Sequence, residues 1–198
     1  MKSKGAIIGF SILGIFSVLI LWAVGSYNSL VTLNESTISA WSQVQNQYQR
    51  RADLVPNLVE TVKGFAKQEK STFESVVSAR SKATQITVSS DMLNNPEAFK
   101  KFENAQSELS SSLGRLLAIS ENYPNLKSNE NFLALQSQLE GTENRISIER
   151  RRFNDLIQKY NTKIKTFPSS LIASYGGFAV KNYFEASPGS EVVPKIQF

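Results

Sequence analysis

The sequence predicts an all-α protein: an N-terminal transmembrane helix continuing into an antiparallel four-helix bundle, with a C-terminal strap. Three observations carry this reading. Residues 5–25 form one uncharged, mostly apolar run. Beyond it, apolar residues recur at steps of three and four. Pro, Asn and Ser fall at the borders of these runs, where helices start and stop. The chain divides accordingly into a cytoplasmic N-terminus (1–4), a transmembrane helix (5–25), the bundle (26–168) and a tail packed in part on the bundle (169–198).

The anchor is read from length and charge. From Gly5 to Gly25 no side chain is ionisable, and about 20 residues at about 1.5 Å each span a bilayer's hydrocarbon core. Trp22 and Tyr27 fall where amphipathic rings favour the headgroup level. Gly5-x3-Gly9 is a weak helix-packing pattern. The competing reading is a cleaved signal sequence with Ala23-Val24-Gly25 as its site, but the run exceeds the roughly 7–15 residues of an ordinary signal core. Lys2 and Lys4 precede the span and no basic residue follows it until Arg50. The positive-inside rule then keeps the N-terminus in the cytoplasm and the bundle on the extracytoplasmic side of the membrane.

Four helices follow. In the first, Tyr27, Val31, Ile38, Trp41, Tyr48 and Val55 share a face. Pro56 suits a first turn with Asp53 as N-cap, so a second helix is expected there with Leu58, Val62, Phe65, Phe73 and Val76. Thr84–Asn95 reads as a loop, and Asn95-Pro96-Glu97 as a helix start. The third helix shows Phe99, Phe102, Leu109, Leu113, Leu116 and Tyr123 before Pro124. In the fourth, Phe132, Leu139, Ile146, Phe153, Tyr160 and Phe167 repeat every seven residues, with Leu135 and Leu156 between them. Ser128 or Asn129 caps it and Phe167-Pro168 ends it. Thr142, Glu149 and Lys163 interrupt the seam, which suits an intramolecular bundle better than a two-stranded coiled coil. From Ser169, apolar residues alternate with Gly176-Gly177, Pro188-Gly189 and Pro194, the pattern of a strap or of a short partner-recognition segment.

Short connections predict alternating directions. The corners at Asp53–Asn57 and Tyr123–Leu126 should then share the end farthest from the bilayer. There Arg51, Asp53, Pro56, Asn57, Glu121, Tyr123 and Pro124 form either an interaction site or a structural tie, with Arg51 pairing Glu121 and the Tyr123 hydroxyl bonding backbone. The returning half of the last helix carries Arg145, Arg150, Arg151, Arg152, Lys159, Lys163 and Lys165. This basic face either lies near anionic headgroups or is a solvated face. Asn28, Asn154 and Asn161 are expected low in the bundle, as a polar layer fixing register or a ligand site.

Several strings resemble the LemA family of bacterial membrane proteins: Tyr27-Asn28, Ala40-Trp41, Arg51-Ala52-Asp53-Leu54-Val55-Pro56-Asn57-Leu58-Val59, Glu121-Asn122-Tyr123-Pro124-Asn125-Leu126, Thr142-Glu143-Asn144-Arg145-Ile146, Arg150 with Asn154, Tyr160-Asn161 and Phe167-Pro168. The resemblance runs from the anchor to about Phe184. Gln68 stands where the family often has His, and Phe153 where it has Tyr. The resemblance implies a single-span protein with an antiparallel four-helix bundle, supplies no catalytic residues, and links some relatives to magnetosome or envelope assemblies.

Composition narrows the function classes. The chain has no His and no Cys, which removes Cys nucleophiles, disulfides, lipoprotein processing and the usual zinc sets. A di-metal carboxylate bundle needs Glu-x-x-His pairs. Glu121 lies far along the helices from Glu143 or Glu149, and no phosphate-cradling Gly-rich loop occurs. The chain is therefore expected to be neither an enzyme nor a cofactor protein, and the anchor argues against a nucleic-acid partner. The leading expectation is a membrane-anchored scaffold or adaptor of the cell envelope. Its partners would be the bilayer and other envelope proteins, and self-association into a homo-oligomer is compatible. The alternative is a bundle core that binds a lipid or small hydrophobic molecule, which an apolar cavity of a few hundred Å³ would favour.

Overall fold

The computed structural model describes residues 2–86 and 90–185, and the side chains of residues 9–86 and 92–185 within them. The described part is mostly helical, with no strand. Its elements are α1 (Lys2–Phe65), α2 (Lys70–Gln85), a 3₁₀ turn (Ser90–Asn94), α3 (Pro96–Ala118), a second 3₁₀ turn (Ile119–Asn122), the single turn α4 (Pro124–Lys127), α5 (Glu130–Lys165) and α6 (Ser169–Tyr175).

Helix α1 runs without interruption through 64 residues, about 95 Å of rise. It is long and apolar enough to cross a membrane near the N-terminus. Phe10, Leu13, Phe16 and Leu19 remain exposed on it, which separates this segment from the core helix of a soluble protein. The expected break at Pro56 does not occur, and the physical reason is local. A proline inside a helix cannot bond the carbonyl four residues back. That carbonyl belongs to Ala52, and it instead accepts from Arg80 Nε of α2 at 2.8 Å. The turn comes later, at Ala66–Glu69, so Leu58 and Val62 are buried on α1, while Phe73 and Val76 are buried on α2. Asp53 caps nothing; it is exposed and accepts from Gln49 Nε2 at 2.7 Å.

The starts at Asn95-Pro96 and at Asn129 are as the sequence predicts. Asn95 Oδ1 accepts from the Ala98 amide at 3.0 Å with Pro96 in the first turn. Asn129 Oδ1 accepts from the Phe132 amide at 3.0 Å.

Helices α1 and α5 are antiparallel along most of their shared length. Leu30 clusters with Tyr160 and Ile164, Trp41 meets Phe153, and Arg51 meets Glu143. Helices α2 and α3 pair likewise, through Ser75 with Ser112 and Lys82 with Glu108. The interior falls into three levels. A distal cluster takes side chains from all four long helices, including Val55, Leu58, Val62, Val76, Leu109, Leu116, Phe132 and Leu139. A middle cluster is aromatic, with Trp41 against Phe99, Phe102, Phe153 and Phe184 at centroid distances of 5.3–5.8 Å. A basal cluster joins Leu30, Tyr160, Ile164 and Ala173. Phe167 does not extend the α5 seam; it is 76% exposed beyond the helix end.

Candidate functional site

The distal and middle clusters are separated by one charged layer, centred on Arg51. Stepping by seven from Leu30 along α1 gives Thr37, Val44, Arg51 and Leu58, all fully or nearly fully buried, so the seam itself carries the arginine inward. Its Nη1 donates to Ser110 Oγ at 2.5 Å and to Glu143 Oε1 at 2.8 Å. Its Nη2 donates to the Gln106 carbonyl at 3.1 Å and to Gln106 Oε1 at 2.6 Å. The guanidinium also lies over the Tyr48 ring, 5.1 Å from its centroid. Gln106 passes the link to α2, donating to the Ala83 carbonyl at 3.4 Å. One side chain thus ties α1 to α3 and α5 directly, and to α2 through Gln106. Its Nη donors are spent on the protein, while Nε is buried with no partner among the described residues, and the layer fixes register and pairing. Beside it lies a cavity of about 180 Å³, bordered by Lys100, Glu103, Glu143, Arg150 and Glu185.

Arg51 therefore pairs with Glu143 and not with Glu121. By the rise of α1 it sits about 20 Å below the distal turn. Pro56 and Asn57 are exposed on the side of α1, not at a corner. The expected tip residues that do reach the distal end are Glu121, Tyr123 and Pro124, where Glu121 and Pro124 are exposed and Tyr123 is half-buried. The Tyr123 hydroxyl donates to Glu69 Oε1 at 3.3 Å, a side chain in place of the expected backbone partner. This bond joins the two distal turns, so two corners do share that pole.

The C-terminal segment is built into the body more firmly than composition suggested. After α6 the chain reverses at Gly177, whose φ of +72° favours glycine. It then runs extended up the bundle to Glu185. Asn161 clamps it in both directions: Nδ2 donates to the Lys181 carbonyl at 2.9 Å, and Oδ1 accepts from the Lys181 amide at 3.0 Å. Seven residues earlier, Asn154 repeats the clamp on Phe184, at 2.9 Å each way. The two amides stand in for the neighbouring strand that an extended segment lacks. Asn28, by contrast, is exposed and takes no part in this layer. Phe184 fills one wall of the aromatic cluster, and Arg150 lies over its outer face, 4.4 Å from the centroid. Lys181 is 4% exposed, donates to Thr37 Oγ1 at 2.6 Å and lies 4.9 Å from the Tyr160 ring centroid. Burial lowers its pKa to about 8, with Glu35 opposing that shift. Residues 186–198, with Pro188-Gly189 and Pro194, lie outside the described residues.

The basic face divides on the same register. Lys163 and Lys165 stand within about 10 Å of the level of Gly25, Lys159 about 15 Å, Arg150–Arg152 about 25–30 Å and Arg145 about 35 Å. Against a Debye length of about 8 Å, only the first two are placed to feel a surface there. Arg150 is occupied by the strap, donating to the Glu185 carbonyl at 3.0 Å beside Glu103 at 3.7 Å. Arg152 pairs at 4.0 Å with Glu149.

Comparison with known proteins places these features in a wider set. Magnetosome protein MamQ 1 of Paramagnetospirillum magneticum is 25% identical over 206 aligned residues, covering 95% of this chain and 76% of that protein. Magnetosome protein MamQ of Magnetospirillum gryphiswaldense is 27% identical over 189 residues, or 86% and 70% of the two chains. Protein LemA of Metamycoplasma hominis is 26% identical over 150 residues, covering 76% of this chain and 64% of that one. The LemA family description matches residues 40–198, from the middle of α1 through the strap and beyond, and the chain belongs to the LemA family.

Proposed function

We propose that the protein is a non-enzymatic, membrane-tethered scaffold or adaptor that holds its distal end rigidly off the bilayer, toward other proteins of the cell envelope. The supporting observation is the continuity of α1. The same helix that carries the apolar segment reaches the distal turn at Phe65, about 60 Å beyond Gly25. A flexible linker would let the body roam; an unbroken helix, locked by Arg51 and the strap, fixes its height and heading. Two relatives that bear the name of an organelle, the magnetosome, agree with a role in envelope assemblies. In this reading the N-terminus is cytoplasmic and the body extracytoplasmic. The cavity beside Arg51 is bordered by charged groups, which lends no support to a hydrophobic ligand at that place.

Photo-crosslinking in intact cells tests the proposal. Crosslinkable residues at Lys67 and Leu133, both exposed near the distal end, should trap partner proteins that positions such as Ser42 do not. A flexible Gly-Ser insertion between Gly25 and Ser26 should scatter those adducts without unfolding the body. Distal positions that trap nothing, or the same adducts as Ser42, overturn the scaffold reading. Protease added to cells stripped of their outer layers should cleave the body, and its protection would reverse the orientation.

A further inference from the structure

The turn at the base of the body carries a surface the sequence reading did not assign. Between α5 and the strap, the chain exposes Phe167 at 76%, Leu171 at 53% and Tyr175 at 93%. Leu171 and Tyr175 are four apart on α6 and so share its outer face. Its inner face holds Ser169 and Ala173, buried against the basal cluster with Leu30, Tyr160 and Ile164. A seven-residue helix with apolar groups on both sides has only one face covered by protein.

We propose that α6 is an interfacial foot: Phe167, Leu171 and Tyr175 rest in the headgroup and upper acyl region of the membrane that α1 crosses. Three features commit this face to the bilayer. It is continuous with the span, because Phe178, just past α6, meets Tyr27 edge-on at 5.7 Å, two residues beyond the apolar run. Its aromatic rings match the residue types that settle at a membrane interface. Lys163 and Lys165 precede it by a few residues, at a height where anionic headgroups attract them. The arrangement is that of an amphipathic segment lying in the interface plane, here held at a fixed angle to a transmembrane helix. Together, span and foot give two attachments on one rigid body, which sets the tilt of the stalk. The inference rests on the anchor reading of α1.

The natural absence of cysteine makes the test direct. Single cysteines at Leu171, Tyr175, Leu13 and Glu130 in the full chain are labelled with an environment-sensitive fluorophore and reconstituted into vesicles with and without anionic lipid. Labels at 171 and 175 should emit to the blue of the Glu130 label and be quenched by lipids carrying a shallow quencher. The Leu13 label should be quenched by a deep one. The combined Lys163→Gln and Lys165→Gln change should remove the part of the shallow quenching that depends on anionic lipid. Water-like emission at 171 and 175 with Leu13 embedded overturns the foot alone. Water-like emission at Leu13 overturns the anchor, and the foot with it. Protection at 171 and 175 in native membranes but not in pure lipid assigns the face to a protein partner and overturns the proposal.

Discussion

The passage of α1 through Pro56 depends on Arg80, and this makes a coupling that can be measured. In the wild type, the Ala52 carbonyl has no amide to receive from residue 56 and takes Arg80 Nε at 2.8 Å. Ala52 is 3% exposed, so losing that donor strands a buried acceptor, at a cost of about 1–3 kcal/mol. Pro56→Ala restores the ordinary helical bond to the same carbonyl and removes the ring's clash, so alone it should stabilise by up to about 3 kcal/mol. In that background Arg80→Ala no longer strands an acceptor and should cost about 1–2 kcal/mol less than in the wild type. The assay is guanidinium unfolding in detergent micelles, followed by the fluorescence of buried Trp41 in a Trp22→Phe background. A cycle that closes additively to within about 0.3 kcal/mol would refute the rescue of Pro56 by Arg80.

Other outcomes follow from the same contacts. Arg51→Ala should destabilise by about 1–3 kcal/mol because it strands the buried Gln106 side-chain oxygen, the Glu143 carboxylate being 40% exposed and open to water, and Arg51→Lys should recover only part of that loss; unfolding midpoints check both. Lys181 should give stability a defined pH slope. Its pKa of about 8 in the folded chain lies below the unfolded value of 10.5, so the unfolded state holds more protons between those values and stability rises with pH through that window. The gain between pH 7.5 and 9.5 should be about 2 kcal/mol, and Lys181→Met should flatten it; Tyr48 and Tyr160, raised by burial, act in the opposite sense only above pH 10. Asn161→Ala should free the strap and raise amide exchange from 178 to 185 without melting α5, which hydrogen–deuterium exchange would show. Gly177→Ala should cost about 1–2 kcal/mol for its left-handed backbone, read by the same exchange.

The features legible in the sequence are those with short-range causes. The cap at Asn95, the cap at Asn129 and the apolar rows of α3 and α5 each follow from residues within one or two turns. Pro56 misled for an equally physical reason. Local rules place a proline at a helix start, and the donor that lets it sit inside α1 comes from residue 80, on another helix. The burial of Arg51 was legible in principle, since it holds a seven-residue position between Val44 and Leu58, but a charge on that row reads as solvent-facing until Gln106, Ser110 and Glu143 are known to converge on it. The strap's grip was harder to see. Asn154 and Asn161 pair with backbone rather than with side chains of a recognisable type, so no pattern in residues 178–185 announces them.

Because the apolar segment and the body share one helix, α1, the two are locked in phase. Adding a single residue near Ser26 would turn the whole body, α6 included, by about 100° relative to the apolar segment and lift it about 1.5 Å. An insertion of about seven residues would bring the original side back into line, two turns higher. Length changes in this stretch thus act as rotations first and as extensions second, and the spacing between Gly25 and Leu30 works as an angular setting as much as a distance.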